Sequence, residues 1–347
     1  MNRQLAIYLA VGLIGVAAPL VTTGFYAQFA LLWIMVTLAL CWDVMGGQMG
    51  YNSFGNVTFF GIGMYTTVVL QVGLFYSVGK YTQAQGAAGF DLSFVQYFVG
   101  LGAGLVLAGV IASIVAAVVG SGMLGLRGHY FAIGTLGLGI AFGELFAGWD
   151  WVGAGSGIVT PLFPGELEWR SLLFYYLAFL LAIFCFFTLK RMYATRFGLA
   201  INAIRDDEDK AEAMGLPTTR YKTLAWTVSA FFTGIAGGIV GNISGFIDPR
   251  DVAFSSATYG VWMILMAILG GKGTIWGPVI GAVVFQFTQE LFWTYLLGWQ
   301  RVALGLLIVL IVVFFPSGIV GWLRERFPER FGVKVETAGA SDAGGRG

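Results

Sequence analysis

The stretch from Phe94 to Val119, FVQYFVGLGAGLVLAGVIASIVAAVV, carries no charge along its whole length. A helix needs about 20 apolar residues to cross the ~30 Å hydrocarbon layer of a membrane, and this run exceeds that. The apolar residues are continuous, without the alternation of a soluble amphipathic helix or of a barrel strand. Backbone groups in lipid must be satisfied internally, which leaves an α-helix. The rest of the chain repeats the pattern. Of 347 residues, 58% are hydrophobic and 11% charged, whereas about a quarter are charged in a soluble domain. The fold class expected is an all-α polytopic membrane protein.

Ten membrane-length segments are expected, near 5–23, 29–45, 57–76, 94–119, 130–148, 171–189, 222–245, 255–271, 276–297 and 302–322. With the N-terminus in the cytoplasm, only Lys80, Arg170, Arg250 and Arg301 of the 19 Lys and Arg fall on the opposite face, as the positive-inside rule requires. The first apolar run has only Arg3 before it and no cleavage site after it, so it reads as a span and not as a signal peptide. One transmembrane domain is expected over 1–336, with a Gly/Ala/Ser-rich disordered cytoplasmic tail at 337–347. Small residues spaced by four mark close helix contacts in lipid. Gly273, Gly277 and Gly281 form one such row, Gly237, Gly241 and Gly245 another, and Gly139 with Gly143 a third.

Several chemistries are disfavoured. A net charge of +1 leaves no basic face for nucleic acid. Cys41 and Cys185 lie inside apolar runs and read as core hydrophobes. His129 is the only histidine, so neither a histidine metal site nor a catalytic triad is available. Gly270-Gly271-Lys272-Gly273-Thr274 lacks the spacing of a phosphate loop. No cofactor is called for. Carboxylates inside a membrane are functional candidates. Asp43 and Glu144 sit near helix ends, without a matched basic partner in the spans, while Glu290 lies deeper beside Gln286 and Gln289.

The longest polar stretch, 190–221, falls on the cytoplasmic side. Asp206 and Asp207 suit a helix N-terminus, Gly215 suits the position just past its end, and Pro217 blocks continuation. The result is a short helix of about two turns, with Glu208, Ala211, Glu212 and Gly215 on one face. Such a face suits docking into a soluble partner; the same composition also fits a solvated loop.

The segment resembles the coupling loop of the branched-chain amino acid ABC transporter permease family (LivM/LivH-type), through Phe197, Gly198, Ala203, Ile204, Arg205, Glu208, Ala211 and Gly215. Three further blocks agree: Gly50–Asn56 followed by Phe59–Thr66, Leu126–Ile133, and Leu269–Pro278. Leu199 and Asn56 depart from the pattern, standing where the family often has Arg and His. The resemblance covers roughly residues 30–320. It implies a permease of about ten helices in the cell inner membrane, acting on amino acids with branched-chain ones as the default. Amides and urea remain open. Implied partners are a homologous second permease, two ATP-binding cassette ATPase subunits and an extracytoplasmic substrate-binding protein. ATP hydrolysis then belongs to the partners, and this chain is no enzyme. Arg205, Asp206, Asp207, Glu208, Ala211, Glu212 and Gly215 are the expected ATPase-coupling residues.

Tyr51, Asn52, Ser53 and Asn56, with Glu290, are the candidates for lining the pathway. Their chemistry suits a weak, transient site, so affinity is expected to reside in the binding protein. The rival reading is a secondary transporter or channel, which would place coupling residues at broken helices near the midplane.

Overall fold

The computed structural model describes residues 3–21, 24–84, 90–295 and 318–326, with isolated positions between 298 and 309. The chain runs through α1 (Arg3–Val21), α2 (Tyr26–Asp43, extended by a π-helical turn at Val44–Gln48), α3 (Asn56–Gly73), α4 (Val78–Gln83), α5 (Phe94–Met123) and α6 (Gly128–Ala147). Then follow α7 (Leu167–Tyr193), α8 (Arg196–Asp206), α9 (Glu208–Ala213), α10 (Thr218–Ser244), α11 (Val261–Gly270) and α12 (Gly277–Tyr295). A last helix spans Gly318–Arg326.

Among the described residues six helices are long and apolar enough to cross a membrane: Tyr26–Gln48, Phe94–Met123, Gly128–Ala147, Leu167–Tyr193, Thr218–Ser244 and Pro249–Gly270. Three more of the ten expected segments coincide with α1, α3 and α12 but are not among those six. For α3 and α12 the reason is visible in their side chains, whereas α1 contributes only the shorter apolar stretch Tyr8–Pro19. α3 carries Asn56, Thr58, Thr66, Thr67 and Gln71, and α12 carries Gln286, Thr288, Gln289 and Glu290. Most of the tenth segment, 302–322, and the tail at 337–347 lie outside the described residues.

Without a hydrophobic force between helices in lipid, packing depends on close backbone approach, and glycine provides it at the centre of the bundle. A Cβ on Gly63 of α3 would land on the Gly234 carbonyl of α10, and one on Gly237 would land on the Phe60 carbonyl. α5 joins the same seam, where a Cβ on Gly104 would stand 2.9 Å from the Thr67 carbonyl oxygen. On α12, Gly281 lies against the Met266 carbonyl of α11 in the same way. Two members of the expected glycine rows do something else. Gly245 ends α10 in the left-handed conformation (φ +77°), and Gly273 turns the chain between α11 and α12 at φ +78°.

Each end of the bundle has its own polar chemistry. At one end, Ile158–Val159 pairs antiparallel with Phe246–Ile247. There Arg170 Nη2 donates to the carbonyls of Asn242 (2.6 Å) and Ile243 (3.2 Å), supplying charge where α10 leaves its acceptors open. Beside it Arg250 holds Glu144 in a bidentate pair at 2.9 and 2.6 Å. Glu144 therefore does have a basic partner, contrary to the sequence expectation; the two are separated by 106 residues, which no local pattern exposes. Asp43 instead accepts from the backbone N–H of Gly273 (2.7 Å), tying α2 to the turn before α12.

Candidate coupling site

At the opposite end the chain leaves α7 and forms α8, which the sequence reading left inside a polar stretch. Thr195 caps it, accepting from the Phe197 N–H at 3.3 Å. α8 is amphipathic: Gly198, Ala200, Ile201 and Ile204 are buried, while Leu199, Ala203 and Asp206 face out. Asp206 thus closes α8 and is not part of the next helix's start. Asp207 is extended (φ −162°) and caps α9, its Oδ1 accepting from the Lys210 N–H at 3.0 Å. α9 stops where Gly215 turns left-handed at φ +85°. The Leu216 N–H reaches the Ala211 carbonyl (3.0 Å) and the Gly215 N–H reaches that of Glu212 (2.8 Å), the paired bonds of a Schellman end.

This short helix is clamped to the bundle. Lys222, in the second turn of α10, is 2% exposed. Its ammonium donates to Glu208 Oε1 (2.7 Å), to the Leu124 carbonyl (2.6 Å) and to the Tyr51 hydroxyl (3.2 Å), which uses all three of its protons. The Tyr51 hydroxyl in turn donates to Glu208 Oε2. Arg127, leading into α6, bonds Asp209 Oδ1 at 2.6 Å and stands 3.6 Å from both Glu208 and Glu212. Thr218 Oγ1 donates to Glu212 Oε1 at 2.6 Å. Burial pushes the Glu208 carboxyl up, but the bonds from Lys222 and Tyr51 and the charges of Lys222 and Arg127 outweigh it and hold it below the usual glutamate range. Tyr51 is pushed well up, by burial first and then by its bond to Glu208.

The contact runs on into the core. The Tyr51 ring meets Phe131 edge-on at 5.2 Å, and Phe131 meets Trp226 at 5.8 Å. Trp226 Nε1 donates to Asn56 Oδ1 (3.2 Å), Asn56 Nδ2 to Ser229 Oγ (3.4 Å), and Ser229 to the Cys41 carbonyl (2.8 Å). Packed groups thus connect α9 with α2, α3 and α10.

The expected coupling face divides. Glu208 and Ala211 turn inward, whereas Glu212 and Gly215 are exposed. Outward with them stand Asp206, Asp209, Met214 and, on α8, Leu199. Arg205 bonds Asp206 (Nε to Oδ1, 3.1 Å) and covers Gly50, where a Cβ would come within 3.1 Å of its Cγ. The pathway candidates disperse. Tyr51 belongs to the clamp and Asn56 to the core network. Ser53 is buried with its carbonyl taken by Trp42 Nε1 (2.7 Å), while Asn52 is exposed, and so is Glu290 on α12. The sequence reading missed Lys222, which stood at the edge of an apolar run and was counted only as a loop charge. α10 starts at Thr218, so Lys222 lies inside the helix, as a charge adjoining an apolar run can signal.

A bundle of membrane-crossing helices, with a capped two-helix loop pinned to one end, has the build of a polytopic transport permease. The chain belongs to the family described as branched-chain amino acid transport system / permease component, whose model matches residues 25–314. It is similar to the high-affinity branched-chain amino acid transport system permease protein LivM of Salmonella typhimurium, 26% identical over 90% of this chain and 80% of that protein. LivM of Escherichia coli is likewise 26% identical, over 86% of this chain and 72% of its own length. Escherichia coli LivH is 30% identical over a shorter part, 37% of this chain and 40% of LivH. These relatives are transport permeases and not enzymes. No solved structure is a significant match.

Proposed function

We propose that the chain is one of two permease subunits of an ABC importer for amino acids of the branched-chain class. It crosses the inner membrane ten times with both ends in the cytoplasm, and ATPase subunits dock on the α8–α9 loop. The observation that carries the reading is the clamp. A loop built only to connect two spans needs no buried lysine to hold it, whereas a loop that receives force must be fixed to the helices it moves. Asp207 and Gly215 shape the element, Glu208 and Ala211 anchor it, and Arg205, Asp206 and Glu212 belong to its outer side with Leu199 and Met214. The LivM and LivH likenesses support a paired permease, and an extracytoplasmic binding protein supplies the substrate.

Co-expression with the ATPase subunits tests this through Leu199→Glu combined with Met214→Glu. Both side chains are exposed, 72% and 88%, so the fold is expected to stand while co-purified ATPase falls at least fivefold and uptake stops. Full ATPase retention with normal uptake contradicts the docking assignment. Uptake driven by an ion gradient without ATP assigns the chain to the carriers instead.

A further inference from the structure

α1, α2 and α7 do not close fully on one another. Between them lies an apolar cleft, open on one side, with walls that include Gly12 of α1, Val36 of α2, Ile183 and Phe187 of α7, and Trp276 from the turn before α12. Gly12 makes the notch, because a Cβ there would meet nothing within 4 Å among the described residues. An empty cleft forfeits the dispersion contacts of its walls. At membrane depth the filler at hand is lipid, whose chains are as apolar as leucine.

The cleft has a polar rim at the α8–α9 end of the bundle. There Tyr8 stacks on Trp276 at 5.7 Å and 9°, and such amphipathic rings gather where hydrocarbon meets water. Lys190, in the last turn of α7, donates to the Tyr8 hydroxyl at 2.8 Å and stands 4.2 Å from the centre of the same ring. An ammonium carries three protons, and this bond uses one. Arg191, the next residue, is exposed. Among the described residues neither cation is in an ion pair, unlike Lys222 and Arg127 of the clamp. Ile183 lies about 10 Å along α7 from Lys190 at 1.5 Å per residue. Cation and cleft therefore follow one another along the helix, as headgroup and acyl chain do in a lipid.

We propose that this cleft binds an anionic phospholipid, with its phosphate on Lys190 and Arg191 and an acyl chain against Gly12, Ile183 and Phe187. Basic side chains grouped between helices at a membrane surface hold acidic lipid headgroups in this way. The apolar walls accept any chain, so the two free cations set the preference for a negative lipid. Binding here needs only that the bundle lie in a bilayer, whatever solute it carries.

Native mass spectrometry of the full-length chain tests it, with phosphatidylglycerol and with phosphatidylethanolamine of the same acyl chains. The first phosphatidylglycerol is expected to bind at least fivefold more tightly than the first phosphatidylethanolamine. Lys190→Gln combined with Arg191→Gln should bring the two lipids within twofold of each other. Gly12→Leu, which fills the notch, should weaken both at least threefold. Unfolding temperatures without added lipid show that the variants are folded. Equal binding of the two lipids by the unsubstituted chain overturns the proposal, as does an unchanged preference in the charge variant. Glycerol 3-phosphate, which has the anion without the chains, should not displace phosphatidylglycerol; displacement would reduce the rim to a surface anion site and overturn the lipid assignment. Loss of a co-expressed second permease from Gly12→Leu, with lipid binding intact, would give the cleft to a protein helix instead.

Discussion

Lys222 Nζ and Glu208 Oε1 stand 2.7 Å apart at the junction of α9 and α10, with the lysine side chain 2% exposed and the glutamate 11%. A buried ion pair is weak evidence for stability, because desolvation offsets most of the attraction. Its effect is on geometry. Lys222 has three acceptors from three separate segments, which fix the orientation of α9 on the bundle.

Removing Lys222 leaves Glu208 with only Tyr51 and Arg127 as partners, so the cost falls below the about 3–5 kcal/mol of a fully uncompensated buried charge. Lys222→Met should still lower the unfolding temperature, and Lys222→Met with Glu208→Met should recover part of that loss. Thermal unfolding in detergent reads both. A single variant no less stable than the double one contradicts the clamp.

Glu208 is held below its ordinary value near 4.5. A carboxyl with a depressed pKa contributes stability that is fully present above the unfolded value and is lost as pH falls through the folded one. The gap in unfolding temperature between the unsubstituted chain and Glu208→Gln should be constant from pH 8 to about pH 5 and close on further acidification. A gap that widens in acid has the wrong sign.

Gly63→Ala places a methyl on the Gly234 carbonyl. Backbone cannot give way as a side chain can, so α3 and α10 must part, and overpacking of this kind costs about 1–3 kcal/mol. Gly12→Ala, with nothing within 4 Å among the described residues, is the control. Equal unfolding temperatures for the two variants would mean that the seam is loose.

Orientation is open to thiol labelling, because Cys41 and Cys185 are both buried. Glu166→Cys should react from outside intact cells, and Asp209→Cys only after the membrane is opened. The reverse pattern inverts the topology.

Local chemistry was legible in the sequence, and distant contacts were not. Asp207, Gly215 and Pro217 announce a capped, stopped helix because caps and breakers act within a few residues. α8 was missed because its apolar positions Ala200, Ile201 and Ile204 are interleaved with Arg196, Asn202 and Arg205, which hid it within a polar stretch. The pairing of Lys222 with Tyr51 spans 171 residues, and that of Arg250 with Glu144 spans 106. Nothing in either neighbourhood signals its partner. Asn56 was expected to line the pathway and stands where the family often has His. Its amide proves to be satisfied by Trp226 and Ser229, a demand of burial that sequence cannot separate from a demand of transport.

In the proposed importer, force from the ATPases reaches the helices through the Tyr51–Glu208–Lys222 clamp. Tyr51→Phe removes a single hydroxyl from it while keeping the ring against Phe131. The decisive measurement is ATP hydrolysed per leucine imported, in vesicles carrying the complete importer with its binding protein. Tyr51→Phe is expected to keep the ATPase subunits bound and hydrolysis within twofold, while the ATP consumed per leucine rises at least fivefold. An unchanged ratio, with the variant folded and assembled, would contradict it.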